Sequence, residues 1–180
     1  TDSGVHARAQ SAHFSTKIKI KNKFLFLNTV NFFLNKKKIS ILEIKLKKKN
    51  FHARYSAKKR FYKYIIINRI APLSLDMNRA WQIKRTLNIS LIKKAAKLLE
   101  GKKDFSAYRS SSCGAGSPIR TLEQVIAIKR NSKITITFKS KSFLQQQVRS
   151  MVGCLKLVGE KKWSLKKFKH VMNSRKRTNC

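Results

Sequence analysis

The chain is poor in acidic residues. It has 7 Asp and Glu against 43 Lys and Arg, which gives a formal net charge of +36 over 180 residues. Such a charge indicates a polyanionic partner, and nucleic acid is the first candidate. Codon drift in an AT-rich genome explains part of the lysine excess. The remaining positive field would still attract RNA or DNA in a salt-dependent way.

Cysteines and long hydrophobic runs are also scarce. The three cysteines, Cys113, Cys154 and Cys180, lie far apart and form no C-x-x-C motif. This spacing predicts neither a disulfide framework nor a zinc site. No apolar run reaches the length that crosses a membrane, and no signal peptide is visible. The pattern favours a cytoplasmic protein whose thiols are free.

Hydrophobic periodicity predicts an α+β fold with a mostly antiparallel sheet and flanking helices. Alternating residues predict a strand over 17–27, and 38–46 is a second extended stretch. A third, strongly β-forming strand covers 59–68. Residues 119–130 and 132–141 are typical of a hairpin. Helices are predicted over 88–101, 143–159 and 164–172.

The first seven residues, TDSGVHA, contain one of only three aspartates. Asp2 stands two residues before Gly4, where the backbone can turn sharply. An aspartate in such a turn is commonly a structural Asx residue, and it can also be a catalytic carboxylate. His6 is open to the same two interpretations, as a packed or surface histidine or as a base.

The segment FHARYSAKKRFYKYIII interleaves basic and aromatic residues. Proteins hold unpaired nucleotides in this way, with positive charges on the phosphates and aromatic faces on the bases. On a strand, Tyr62 and Tyr64 share one face. One tyrosine can then stack on a base while the other packs. The alternative is an ordinary half-buried strand with solvated lysines.

Two further segments carry candidate functional residues. DFSAYRSSSCGAGSPIRT is rich in small residues, so it is either a loop that approaches an RNA backbone closely or a mobile connector. FLQQQVRSMVG places Arg149 inside an otherwise apolar helix. A buried or half-buried arginine needs a carboxylate or phosphate partner, and Asp2 is one of the few carboxylates available.

Together and in this order, the four segments resemble the tRNA pseudouridine synthase A family. TDSGVHA is similar to the family signature G-R-T-D-x-G-V-H from its threonine onward. FHARYSAKKRFYKY, DFSAYR…SPIRT and FLQQQVRSMVG are similar to the next three blocks. Gln145 and Gln146 replace the usual His-His pair. The family's preceding Gly-Arg and Y-x-G segment, and its final strand, have no counterpart here. We therefore expect an internal piece of a synthase.

The resemblance implies a pseudouridine synthase fold and an isomerase that acts without metal or cofactor. It implies conversion of uridine to pseudouridine in the anticodon stem-loop, at tRNA positions 38, 39 and 40, by a homodimer. It also implies that residues 1–50 end an N-terminal subdomain and that 51–180 form a C-terminal one. The alternative is a non-catalytic RNA-binding remnant of such a gene.

The resemblance also assigns roles to particular residues. Asp2 corresponds to the catalytic aspartate, acting as nucleophile or base. Arg149 is expected to pair with Asp2, and Tyr62 to stack on the target base. Four further residues are candidate RNA contacts by charge and position alone: Arg54, Lys58, Arg60 and Arg120.

Overall fold

The computed structural model describes Asp2 and residues 4–180, and it divides the chain into two compact units. Residues 9–57 form one unit, and residues 1–8 with 58–180 form the other. Thr1 and Ser3 of the TDSGVHA segment lie outside the described residues. The predicted subdomain boundary at residue 50 stays a prediction.

The smaller unit is built around one helix, α1 (Lys23–Leu34). The prediction of a strand over 17–27 is therefore wrong. Alternation is limited to the first few residues, whereas the apolar residues after Lys23 are mostly consecutive. Asn22 also starts the helix, because its side-chain oxygen accepts a hydrogen bond of 2.9 Å from the Leu25 amide.

The segment after α1 follows an irregular path. The second predicted extended stretch, 38–46, is not paired into a sheet. Instead, the Asn31 side chain binds the Ile41 backbone twice, with Nδ2 donating to the carbonyl at 2.9 Å and Oδ1 accepting from the amide at 2.7 Å. A side-chain amide thus satisfies backbone groups that a neighbouring strand would otherwise pair.

The larger unit contains a five-stranded sheet, which confirms the α+β prediction. The strands are β1 (Arg60–Ile67), β2 (Trp81–Gln82), β3 (Gly101–Asp104), β4 (Ile119–Arg130) and β5 (Lys133–Ser140). Their order in the sheet is β2-β1-β5-β4-β3, and each neighbouring pair is antiparallel except β1 with β2. The predicted hairpin is confirmed as β4 and β5, whereas the short β2 and β3 were not predicted.

Three helices pack with this sheet: α2 (Ile89–Leu98), α3 (Gln147–Gly159) and α4 (Leu165–Ser174). Asn88 and Ser164 cap α2 and α4 through their side-chain oxygens, as their positions predict. The buried face of β5 carries Ile134, Ile136 and Phe138, all fully buried. The core therefore lies on the helical side of the sheet, which is also the side of Tyr62 and Tyr64.

Candidate active site

Asp2 opens a tight turn in the larger unit. The Val5 amide donates to the Asp2 carbonyl at 3.1 Å, and Gly4 has φ +75°, which glycine adopts without steric cost. The Asp2 side chain is exposed. A Cβ built on Gly4 would lie 3.7 Å from Nη2 of Arg149. The turn therefore places its aspartate in the neighbourhood of that guanidinium.

Arg149 is the third residue of α3 and is exposed. This differs from the expected buried or half-buried position inside an apolar helix. The helix begins later than predicted, because Gln146 has φ +58° and Gln147 is the first helical residue. Gln147 is buried, and its Oε1 accepts a hydrogen bond of 2.8 Å from the Leu144 amide. These contacts fix the helix start from which Arg149 projects.

Tyr62 and Tyr64 are half-buried on β1, while their neighbours Phe61 and Lys63 are exposed, so the predicted sharing of one face is confirmed. The Tyr62 ring lies edge-on to Phe143 with centroids 5.0 Å apart. The next tyrosine lies edge-on to Trp81 at 6.3 Å.

Tyr64 also responds to the charge of Arg149. Burial raises the pKa of the Tyr64 phenol, and the positive charge of Arg149 opposes that rise in part. Arg149 thus lies beside the Asp2–Val5 turn, and its charge also reaches Tyr64 on β1. The predicted pairing of Arg149 with Asp2 stays a prediction, and this proximity supports it.

Most carboxylates in the described part of the chain are held by lysine or arginine. Counting only ion pairs between described residues, five of the seven have a cationic nitrogen within 4.0 Å: Glu43, Glu100, Asp104, Glu123 and Glu160. Asp2 and Asp76 are the other two. Few carboxylates outside these ion pairs are therefore candidates for a catalytic role.

Asp104 illustrates the structural use of the paired carboxylates. Its Oδ1 accepts a hydrogen bond of 2.8 Å from the Ser106 amide, and its Oδ2 lies 3.3 Å from Arg175. Burial would raise the pKa of Asp104, but the hydrogen bonds from Ser106 and the charge of Arg175 lower it overall. Asp104 thus stabilises the turn that leads into the small-residue loop.

Two of the candidate RNA contacts already donate hydrogen bonds to backbone carbonyls. Arg120 donates from Nη1 to the carbonyls of Ser117 at 2.9 Å and Ile119 at 2.6 Å. Arg60 donates from Nη1 to the Lys141 carbonyl. Both arginines therefore shape the chain around them, whereas Lys58 is exposed.

Arg54 belongs to the smaller unit. Its guanidinium carbon lies 5.7 Å from the centroid of Tyr55, which is 73% exposed. The turn is held by His52, whose amide donates to Ser56 Oγ at 3.1 Å and whose carbonyl accepts from the Ser56 amide at 2.7 Å. The FHARYS segment therefore presents a cation and an aromatic ring on a fixed turn.

Sequence reasoning missed the residues that anchor the small-residue loop. The Gln145 carbonyl accepts from the Ser110 amide at 3.1 Å, and the Gln145 side chain accepts from Ser112 Oγ at 3.4 Å. Arg109 donates from Nη2 to the Cys113 carbonyl at 2.6 Å. The departure from the family's His-His pair was the only sequence signal at Gln145.

Neither a metal site nor a membrane span emerges from the described residues. They contain no group of three His, Cys, Asp or Glu side chains able to hold a metal ion. No helix formed by them is both long and apolar enough to cross a membrane. The expectation that the chemistry needs no metal or cofactor stays a prediction.

Comparison with known proteins identifies relatives along the whole chain. A family model described as tRNA pseudouridine synthase matches residues 95–180. The tRNA pseudouridine synthase A of Pelagibacter ubique (strain HTCC1062) is 54% identical over 180 residues, which is 100% of this chain and 73% of that protein.

Two further curated relatives carry the same name. That of Neorickettsia sennetsu is 43% identical over 155 residues, covering 86% of this chain and 64% of its own length. That of Ehrlichia chaffeensis is 39% identical over 178 residues, covering 99% and 72%. These matches confirm the resemblance found in the four sequence segments. The chain belongs to the tRNA pseudouridine synthase family, a family of isomerases.

Proposed function

We propose that this chain converts uridine to pseudouridine in tRNA and that Asp2 is its catalytic carboxylate. The observation that carries the proposal is the match, along all 180 residues of this chain, to 73% of the tRNA pseudouridine synthase A of Pelagibacter ubique. The position of the Asp2–Val5 turn beside Arg149 supports the assignment of Asp2. Its exposure leaves the carboxylate accessible to a substrate.

The reaction exchanges one bond to the ribose for another. The N1–C1′ bond breaks, the uracil rotates, and C5 joins C1′; C5 then loses a proton and N1 gains one. A carboxylate next to the sugar acts either as nucleophile at C1′ or as base at C2′. Both roles use the carboxylate form of an aspartate side chain.

Arg149 and Tyr62 complete the proposed site. Arg149 orients the Asp2 carboxylate and holds the negative charge in place during the reaction. Tyr62 stacks on the target base once that base has left its helical stack. Its ring is half-buried against Phe143, so it is already held in one orientation before substrate binds.

The substrate region is proposed to be the anticodon stem-loop, recognised by a cytoplasmic homodimer. The net charge of +36 suits a large polyanion that lies across two subunits. Lys58 and Arg54 are exposed and are the favoured phosphate contacts. Arg60 and Arg120 are proposed as weaker contacts, because both already donate hydrogen bonds to backbone carbonyls.

The decisive experiment compares the chain with Asp2→Asn on an unmodified tRNA transcript that has anticodon-arm uridines. Pseudouridine is measured by carbodiimide labelling and primer extension, and tRNA affinity by filter binding. We expect Asp2→Asn to lose turnover by roughly 10³-fold or more, with tRNA affinity changed less than about threefold. Asp76→Asn is the matched control and should retain wild-type turnover.

Two outcomes would contradict this assignment. Substantial turnover by Asp2→Asn would remove Asp2 from the chemistry. If the unsubstituted chain and both variants show no turnover but still bind tRNA in a salt-dependent way, the result would instead support a non-catalytic RNA-binding remnant. The observation behind that second function is the net charge of +36, which attracts a polyanion whether or not the chain performs catalysis.

A further inference from the structure

Two cysteines that are 26 residues apart in sequence meet in the folded chain. Sγ of Cys154 and Sγ of Cys180 are 2.9 Å apart, and both are free thiols. Cys154 lies on α3 with only 1% of its surface exposed, whereas Cys180 is exposed. One thiol is therefore accessible to solutes, and its partner is protected.

A short 3₁₀ turn, Arg177–Asn179, brings Cys180 to this position. Nη1 of Arg177 donates to the Arg109 carbonyl at 2.7 Å and lies 3.4 Å from Ser150 Oγ. The Cys180 thiol itself is 3.8 Å from the Ser150 carbonyl. The turn thus rests on α3 through contacts that do not depend on the two sulfurs alone.

The surroundings also divide the chemical roles between the thiols. The hydrogen bond from Cys154 lowers the pKa of Cys180; burial acts against it, and the charge of Arg177 adds to the lowering. The same sulfur contact and burial raise the pKa of Cys154. Cys180 is therefore the thiol that ionises first and can attack a disulfide. Cys154 stays protonated until the second step of the exchange.

We propose that Cys154 and Cys180 are a thiol modification site that closes into a reversible disulfide when the protein meets an oxidised low-molecular-weight disulfide such as oxidised glutathione. The Cys180 thiolate attacks one glutathione sulfur and releases one glutathione as its thiolate. The sulfur of Cys154 then attacks Cys180 Sγ, its proton passes to solvent, and the second glutathione leaves. One protein dithiol is oxidised as one glutathione disulfide is reduced to two glutathiones.

The new bond would tie the Arg177–Asn179 turn to α3, the helix that also carries Arg149. The link closes a loop that contains α4, so it restricts the unfolded chain. The melting temperature should therefore rise by roughly 5–10 °C in the oxidised protein.

The test incubates the reduced chain with oxidised glutathione and then counts free thiols in denaturant. We expect the count to fall from three to one, with Cys113 remaining. Trypsin cleaves after Arg149, Lys156 and Arg177 in this sequence. Mass spectrometry should therefore find peptide 150–156 joined to peptide 178–180, and a reductant should release both.

Single variants separate the two roles. Cys154→Ala should trap glutathione on Cys180 as a stable mixed disulfide, because no second thiol resolves it. Cys180→Ser should gain no glutathione at Cys154, which is buried. Cys113→Ser is the matched control and should form the same cross-linked peptides with no free thiol left.

Three results would overturn the proposal. Retention of all three thiols in the wild type at high glutathione disulfide would show that the pair does not react. A persistent mixed disulfide at Cys180 would show that Cys154 cannot reach it. Cross-links that involve Cys113, or that join two chains, would place the reactive pair elsewhere.

Discussion

At the scale of single residues, Arg149 links two parts of the proposed site. Its guanidinium borders the Asp2–Val5 turn, and its charge acts on Tyr64. Sequence reasoning found Arg149 because an isolated charge between apolar residues is conspicuous. It did not predict the effect of this charge on the pKa of Tyr64, since that effect depends on how α3 packs beside β1.

Arg149→Ala should lower turnover by about 10²- to 10³-fold, because the carboxylate of Asp2 loses the cation that orients it. The same substitution should raise the pKa of Tyr64, because the positive charge that opposes the effect of burial is gone. An ultraviolet titration of the tyrosines measures the second effect without substrate.

The exposed Arg130 at the end of β4 provides the matched control. Arg130→Ala should change neither turnover nor the tyrosine titration. If Arg149→Ala kept wild-type turnover, Arg149 would have no role in the proposed reaction, whatever the tyrosine titration showed.

At the scale of elements, the close approach of α2 and α3 depends on one glycine. A Cβ on Gly159 would lie 2.7 Å from Cδ1 and 2.9 Å from Cγ1 of Ile92, a fully buried residue. A Cβ on Gly153 of the same helix would meet nothing within 4 Å. Substitution by alanine is therefore expected to change the free energy of unfolding in opposite directions at the two glycines.

Gly159→Ala should destabilise the protein by about 1–3 kcal/mol, because the core has no room for the added methyl group. Gly153→Ala should instead stabilise it by roughly 0.5–1 kcal/mol, since alanine favours the helix. Urea denaturation followed by circular dichroism measures both. Equal effects of the two substitutions would contradict the packing of α3 against Ile92.

The elements also show where sequence reasoning succeeds. The β4–β5 hairpin was predictable because Ile134, Ile136 and Phe138 alternate with polar residues over a full strand. Helix α1 was missed because its run from Phe24 to Leu34 has no clear period, and none of its residues is buried. The turn at Gln146 was also missed, since nothing in the sequence marks a positive φ at a glutamine.

At the scale of the whole molecule, the excess positive charge is expected to govern association with RNA. The four ordered motifs proposed the site residues, but they did not predict that Arg60 and Arg120 donate hydrogen bonds to backbone carbonyls. Such hydrogen bonds depend on the final path of loops that are distant in sequence. We therefore expect exposed lysines to make most of the phosphate contacts.

If about six or more phosphates are neutralised, tRNA affinity should fall about a thousandfold between 50 and 200 mM salt. Filter binding across that range measures the slope of log affinity against log salt concentration. Lys58→Ala should reduce the slope by about one if Lys58 contacts a phosphate. A change in affinity below tenfold over the range would mean that few phosphates are contacted.

The division of the chain also has a consequence for how the protein folds. The larger unit consists of residues 1–8 and 58–180, so the Asp2–Val5 turn joins it only after a 49-residue excursion through the smaller unit. Its contact with Arg149 spans nearly the whole sequence, and closing so long a loop has an entropic cost that no local contact offsets. The β4–β5 hairpin and the helices can form from neighbouring segments first. Asp2 would then be among the last parts of the larger unit to take its place.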